Sequence, residues 1–496
     1  MQIAARIDVL NADEMARIKE AMLGMLSEVG IWIECPEAVA MMERHGYRMD
    51  GHRLKPTPDE TQAFINNYAH APLREASRPQ GEIDRGRNEV VPGRKQFSIG
   101  TVNVCIFDYD TQRVRRGNLG DSRKAALFAN GLECIGSVNP VVVPAEVHPE
   151  LALLAAQVEV CKFSRKAGAF NPGPHLTPRN LPFWEEMGYL AAGGRESCEK
   201  HPVLGLAGFD MSSPMRLSKF CTDRTRISMK FRKLGGSVSS LPLQGLNAMV
   251  TVAGGVAQSL AEVLGGGMFL EMIEKEMTGA THYAFRFAPG FVPVDMRCAR
   301  KACSGVENTL AHIALSQMTE FLGLPVSRRN YGSGKTEAKL WGVQSGSERT
   351  LNTVFPLLAG LGWGPSVGDM FSEEYFSFEQ AIMDLDLYGM ANRIIEGVRV
   401  DGDALNLGVF KEGIAAGLFT GLEHTAANFR TEMYLPQLAS RESYAQWDDE
   451  GRKTLEEKAH ERVVEILARA EPDPKYPPEV LREMERLLER FKEAFA

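Results

Sequence analysis

The order of helical and strand-like runs in this chain predicts an α/β fold: a (β/α)8 TIM barrel with an N-terminal helical and hairpin preface and C-terminal helices. Three observations lead there. From Gly120 onward, short β-like runs alternate with helical patterns, the signature of parallel βα units. No G-x-G-x-x-G follows an early strand, so the rival open sheet of the dinucleotide-binding type has no support. At 496 residues the chain exceeds the usual single-domain size yet suits a barrel with added segments.

The preface comes first. Between residues 12 and 26, Met15, Ile18, Met22 and Met25 recur at helical spacing, and the pattern stops at Gly30. A second helix is expected over 36–45 and a third after Pro56-Thr57-Pro58. Phe97 to Phe107 reads as a strand, Asp108 to Thr111 as a turn, and Arg113 to Arg116 as the returning strand of a hairpin. Helices are then expected over 121–129, 150–163, 180–192, 221–234, 250–272, 297–322 and 348–361. The strands that follow them are expected over 134–138, 167–170, 203–209, 236–241, 282–287, at Val326 and over 363–368; an eighth is not placed. The expected organisation is a preface over 1–118, a catalytic barrel over 119–440 and closing helices over 441–496. The last pattern, Glu479 to Phe495, alternates charge at i,i+4 as a solvated outer helix does.

Composition excludes several classes of function. Hydrophobic content of 44% and charged content of 24% are those of a globular protein. The net charge of −8 gives no footprint for nucleic acid or an anionic membrane. No apolar run approaches the ~20 residues of a membrane span. The N-terminus meets an acidic residue at Asp8 and lacks a signal-peptide core, so a cytoplasmic location is expected. Eight cysteines are scattered without a C-x-x-C pair and are expected to be reduced. Cys298 and Cys303, the closest pair, lack the ligand set of a zinc site, so no metal is expected.

One stretch gathers more chemistry than any other: Asn330 to Glu348, NYGSGKTEAKLWGVQSGSE. It follows the apolar run Phe321 to Val326 and precedes a helix, so it reads as a βα loop. A loop rich in Gly, Ser and Thr leaves backbone N–H groups free for a ligand. It also carries Tyr331, Lys335, Lys339, Trp341 and Gln344; a solvated loop without a ligand explains these residues equally well. Barrel sites form at the C-terminal ends of strands. The aromatics expected there are Phe170, Tyr283, Phe285, Tyr331 and Trp341, each of which suits a buried core as well as a cation site. The polar groups expected there are Asn171, Asp210, Gln244 and Gln344, and Asp210 also suits a helix cap.

The segment T-E-A-K-L-W-G-V-Q-S-G-S-E resembles the T-D-A-K-x-x-D-x-Q-A-G-x-E segment of the corrinoid-dependent trimethylamine methyltransferase (MttB) family. Further pieces occur in the family's order. They include L-S-E-V-G-I-W-I and E-R-H-G-Y-R-M-D-G near the start, F-D-Y-D-T-Q-R-V-R-R in the hairpin, and Leu241 to Leu264. S-F-E-Q-A-I-M-D-L-D (Ser377 to Asp386) and H-T-A-A-N-F-R-T-E-M-Y-L-P (His424 to Pro436) complete the set. Gln112 stands where the family has Gly, Gly342 where it has Asp, and Asn247-Ala248-Met249 where it has a small-residue turn ending in Pro. The last two departures bear on the substrate more than on the fold.

The resemblance implies methyl transfer from a methylated amine to the Co(I) of a corrinoid held on a separate corrinoid-binding protein. Only the standard twenty residues occur, which points to the non-pyrrolysine branch and to quaternary amines such as betaines. No D-x-H-x-x-G is present, so no cofactor is expected on this chain and the corrinoid (cobalamin) arrives on the partner. A quaternary nitrogen leaves as a neutral amine without a general acid. Catalysis then rests on positioning and desolvation, with aromatic faces holding the cation at ~0.5–2 kcal/mol each. The substrate-binding candidates are Phe170, Asn171, Asp210, Gln244, Tyr283, Arg286, Tyr331, Lys335, Gln344 and His424, and no catalytic residue is assigned. Arg286 and Lys335 suit a substrate carboxylate, and His424 enters through its motif. A homo-oligomer is compatible with all of this. Two rivals stay open: a non-catalytic binder of quaternary amines, and a barrel lyase or hydrolase using Lys335 or Lys339 covalently.

Overall fold

A computed structural model describes residues 7–68, 97–172, 175–200, 203–204, 209–229, 237–279, 286–325, 334–361 and 366–495. The preface helices form where their apolar spacing predicts. Ala12–Gly24 starts at a capping box in which Asn11 and Glu14 each accept the other's backbone N–H. The chain continues through one π turn, Met25–Val29, and stops at Gly30. That glycine has φ of 75°, and a Cβ there would lie 2.5 Å from the Leu54 carbonyl oxygen. Pro36–Arg44 and Pro58–Tyr68 follow. Between them Ile31–Ile33, Met49–Asp50 and Arg53–Leu54 join Arg216–Leu217 in a four-stranded sheet that the sequence did not announce. Strands of two or three residues are too short for an alternating pattern to register.

Two hydrophobic cores hold the molecule. The first surrounds Val252–Thr278, which by length and composition alone is apolar enough to cross a membrane. Its most apolar stretch is 94% buried inside the protein, as an all-round apolar core helix must be. Met22, Leu26 and Phe64 of the preface share this core with Leu315 and Met318 of Val306–Phe321. The second core joins Leu119–Asn130, Pro149–Phe163, Phe378–Glu396, Leu455–Arg469 and Pro478–Glu493. The last of these corrects an expectation. Its charged face is solvated, but Met484, Leu487, Leu488 and Phe491 are buried, each contributing about 1.5–3 kcal/mol by leaving water.

Each core carries one parallel sheet. Phe97–Ile99 lies between Ile135–Val138 and Ser366–Val367, parallel to both. Ser237–Ser240 lies between Phe209–Asp210 and Arg286–Pro289, again parallel to both. Parallel bridges Val138–Ala167 and Phe170–Leu204 continue the pattern, and the Phe287 N–H donates to the Pro325 carbonyl (2.9 Å). The α/β class is therefore observed. A closed eight-stranded ring is not: the described strands form separate small sheets. Most of 203–209 and 282–287, Val326 and 362–365 lie outside the described residues.

Several boundaries moved, two of them with a change of strand pairing. Phe97 to Phe107 is not one strand. Phe97–Ile99 joins the parallel sheet, the chain turns at Gly100, and the hairpin pairs Cys105–Asp108 with Arg113–Arg116. A Cβ at Gly100 would lie 2.6 Å from the Asn139 carbonyl oxygen, so a side chain could not make that turn. The helix expected over 297–322 starts only at Val306, because Val294–Asp295 and Arg300–Lys301 pair as a short hairpin before it.

Candidate functional site

The strands Phe97–Ile99 and Ser366–Val367 exit side by side onto buried polar groups. From one comes Asp369; from the other, Thr101 and Asn103. Thr101 Oγ1 (2.7 Å) and Asn103 Nδ2 (2.9 Å) both donate to Asp369 Oδ1. Burial and the Glu373 carboxylate push the Asp369 carboxyl above its ordinary value.

The following loop is left-handed at three successive non-glycine residues, Phe371 (φ 48°), Ser372 (52°) and Glu373 (68°). Such backbone costs about 1–2 kcal/mol per residue, so its surroundings must hold it. The Ser372 N–H donates to the Thr336 carbonyl (2.8 Å) and its hydroxyl to Glu337 Oε1 (2.5 Å). The loop thereby aims Glu373 at Lys335, with 3.0 Å between the charged atoms. Burial works against the Lys335 ammonium, but Glu373, with Cys303 and Asp369, outweighs it and holds the pKa above the ordinary value. On the neighbouring Val306–Phe321 helix, burial and the Lys335 charge push the His312 imidazole down to about 4, so it is neutral at physiological pH.

Lys335 owes its position to the residue before it. Gly334 has φ of 56°, and a Cβ there would lie 2.2 Å from the Tyr388 hydroxyl. Its carbonyl accepts from Arg349 Nη1 (2.8 Å). Arg349, 2% exposed, also pairs with fully buried Asp384 (2.9 Å) and donates to the Asp369 carbonyl. Asp384 in turn accepts the Gly368 N–H (2.8 Å). One buried ion pair thus ties the strand exit to the loop that carries Lys335. Three other motif residues build the loop. Thr336 Oγ1 and the Glu337 N–H donate to Glu348 Oε2 (2.7 and 2.8 Å), and Trp341 packs edge-on against Phe107 at 4.9 Å. Lys339 Nζ lies 4.1 Å from the Phe371 ring centre.

The remaining sequence candidates have other surroundings. Phe170 is fully buried in the second core, bridged to Leu204, and Asn171 after it is exposed. Asp210 accepts from Arg224 and Ser239, so its charge is already matched and it caps no helix. Gln244 closes a tight turn, donating to the Val250 carbonyl (2.6 Å). Arg286 is exposed and is the first described residue of its strand, at the end opposite the exit. Gln344, in the first turn of Val343–Leu358, is exposed and donates to Glu348 Oε1 (2.9 Å). His424 lies on Glu423–Glu432 and contacts the Asp403 carbonyl through Nε2 (3.1 Å). Tyr283, Phe285 and Tyr331 lie outside the described residues. Sequence reasoning missed Asp369, Glu373 and His312 as site residues. Asp369 carried a usable signal, since it ends an expected strand as Asp210 does; the other two carried none.

Ionisable groups with shifted pKa values, gathered where parallel strands exit and braced by a buried ion pair, are the arrangement expected of the functional site of an α/β enzyme. The family model for trimethylamine methyltransferase (MTTB) matches residues 1–496, and the chain belongs to that family. It is 24% identical over 486 residues to the glycine betaine methyltransferase of Desulfitobacterium hafniense strain Y51, covering 97% of this chain and 96% of the relative. It is 23% identical over 472 residues to trimethylamine methyltransferase MttB of Desulfitobacterium hafniense strain DSM 10664 / DCB-2, covering 93% and 90%. To trimethylamine methyltransferase MttB of Methanosarcina thermophila it is 27% identical over 292 residues, covering 58% and 56%. The chain is an enzyme of the methyltransferase class.

Proposed function

We propose that this enzyme takes a methyl group from a quaternary amine that also bears a carboxylate, a betaine, and passes it to the Co(I) corrinoid of a separate corrinoid-binding protein. The observation that carries the proposal is the Lys335–Glu373 ion pair at the strand exits. A zwitterion can enter such a pair without stranding either charge: its carboxylate takes Lys335 and its ammonium takes Glu373, with Asp369 adding to the field. A cation without a carboxylate leaves Lys335 unmatched. The glycine betaine methyltransferase that the chain matches nearly end to end supports the same class of substrate.

The corrinoid supplies a strong Co(I) nucleophile when its carrier docks. The chain's own residues bind the substrate, orient its N–CH₃ bond and exclude water. No proton has to move, because the nitrogen leaves as a neutral amine. Positive charge fades in the transition state, so carboxylates that gripped the cation too tightly would slow the reaction. Asp369 already shares its charge with Thr101 and Asn103, which moderates that grip. Among the described residues carboxylates rather than an aromatic cage meet the cation, since the Phe371 ring is already approached by Lys339 and by Arg300 (4.5 Å). Lys335 does not suit a covalent lyase or hydrolase, which needs an amine of depressed pKa.

We read the two parallel sheets as arcs of one barrel, with Phe97–Ile99 as the strand left unplaced from sequence, and place the enzyme in the cytoplasm. On that reading Leu246, Val250, Met296, Leu340 and Val343, all exposed, form an apolar rim for the carrier at the barrel mouth. With reduced carrier, glycine betaine should be demethylated faster than trimethylamine, followed by the corrinoid spectrum. Equal or faster transfer from trimethylamine at neutral pH overturns the proposal. Gln344, next to the 88%-exposed Val343, supplies a second check on the rim. Gln344→Ala should lower methyl transfer several-fold and leave stability within ~0.5 kcal/mol, as an exposed side chain allows; a large fall in Tm with a matching loss of activity would make it scaffold.

A further inference from the structure

We infer that the arm formed by residues 397–435 is the surface through which two copies of this chain pair. After Phe378–Glu396 the chain leaves both cores. Leu407–Ala416 buries only Gly413, and Glu423–Glu432 buries no residue. On the first of these helices Leu407, Phe410 and Ile414 stand at i, i+3 and i+7, one stripe, and are 62%, 54% and 63% exposed. Leu405 and Leu418 flank the helix, exposed, and the Phe419 ring lies 6.2 Å from that of Phe410. A ten-residue helix is marginal alone in water, and its stability comes from burying an apolar face. Here that face points to solvent.

The arm's charges do not compete for this face. Arg399 gathers Asp401, Asp403 and Glu432 into one network, and Asn428 accepts from the same guanidinium (2.7 Å). His424 contacts the Asp403 carbonyl beside the same network. A partner can therefore cover the stripe without stranding these charges.

Area and polarity select a second copy as the occupant. Counted with Val398, Val400, Met433 and Leu435 elsewhere on the arm, the exposed apolar side chains amount to roughly 1,000 Å², against about 800 Å² per partner in a stable interface. The largest apolar patch of an ordinary monomer is about 300–600 Å². A carrier that docks and leaves would return this face to water in every cycle, and transient interfaces have surface-like polarity, whereas homodimer interfaces are more apolar. A two-fold axis lays the stripe of one copy on the same stripe of the other.

The test is the mass of the purified full-length protein by sedimentation velocity and light scattering at micromolar concentration. The 54.7 kDa chain should run as a dimer of twice that mass. The variant carrying Leu407→Glu, Phe410→Glu and Ile414→Glu should run as a monomer with unchanged far-UV circular dichroism. Should that variant fail to fold, the single Leu405→Glu substitution carries the test, raising the dimer Kd at least ~10-fold. A wild-type monomer, or a Kd that Leu405→Glu leaves unchanged, overturns the inference. So does a wild-type monomer whose stripe variants lose binding to the corrinoid protein, which would assign the face to the carrier.

Discussion

Asp384→Ala should destabilise the folded enzyme by about 3–5 kcal/mol, the cost of leaving a buried charge unpaired. The guanidinium left behind is that of Arg349, itself 2% exposed, with the Gly334 and Asp369 carbonyls and the weakly accepting Met370 sulfur still to hold it. The loss is local to the site, since Asp384 also accepts the Gly368 N–H at the strand exit. Urea unfolding of Asp384→Ala, Arg349→Met and the variant combining Arg349→Met with Asp384→Leu measures this. The combined variant should recover part of the loss, because a packed apolar pair strands no charge. Additive losses would show that the two residues do not act as a pair. pH supplies a further check. Burial, against the pull of Arg349, pushes the Asp384 carboxyl up to about 6. Between the ordinary carboxylate range and that value, the folded chain binds more proton than the unfolded chain. This group's contribution to stability therefore grows as pH falls through the window, opposite to that of an ordinary surface carboxylate.

Lys335→Met should lower kcat/KM for glycine betaine by about 100-fold or more, since losing one partner of a desolvated charge pair costs about 2–5 kcal/mol. Stability should change far less, because a half-buried side chain is exchanged for one of similar length. The loss should be specific to the carboxylate. A quaternary amine without one meets Glu373 in both proteins, so its methyl transfer should be lowered little or raised. Equal losses on the two substrates would give Lys335 a role other than carboxylate recognition. Gly334→Ala should reach the same loss by another route, displacing Lys335 through the clash with the Tyr388 hydroxyl.

Much of this architecture was legible before the structure, for a physical reason. Helices such as Pro149–Phe163 and Val252–Thr278 are written as apolar periodicity and end signals within one stretch of chain. The candidate site was legible in a narrower way. The motif at Thr336 pointed to the right loop, yet its own conspicuous side chains mostly build the loop. Thr336 and Glu337 are spent on Glu348, and Trp341 on Phe107. Arg286 was chosen by residue type and His424 by its motif, and neither says which end of a strand, or which side of a surface arm, a residue will occupy.

By itself the sequence determined the α/β class, the family and the presence of Lys335 in a loop before a helix, since each depends on residues close together or on ordered motifs along the chain. Only the tertiary structure decided what Lys335 meets. Glu373 lies 38 positions further on and His312 23 positions before it, and they reach its surroundings through a left-handed loop and a packed helix. Asp369 becomes part of the same site because Phe97–Ile99, read as preface, pairs with Ser366–Val367 and brings Thr101 and Asn103 to it. A charge cluster of this kind is set by which segments pack together, and packing is a property of the whole chain that no local pattern encodes.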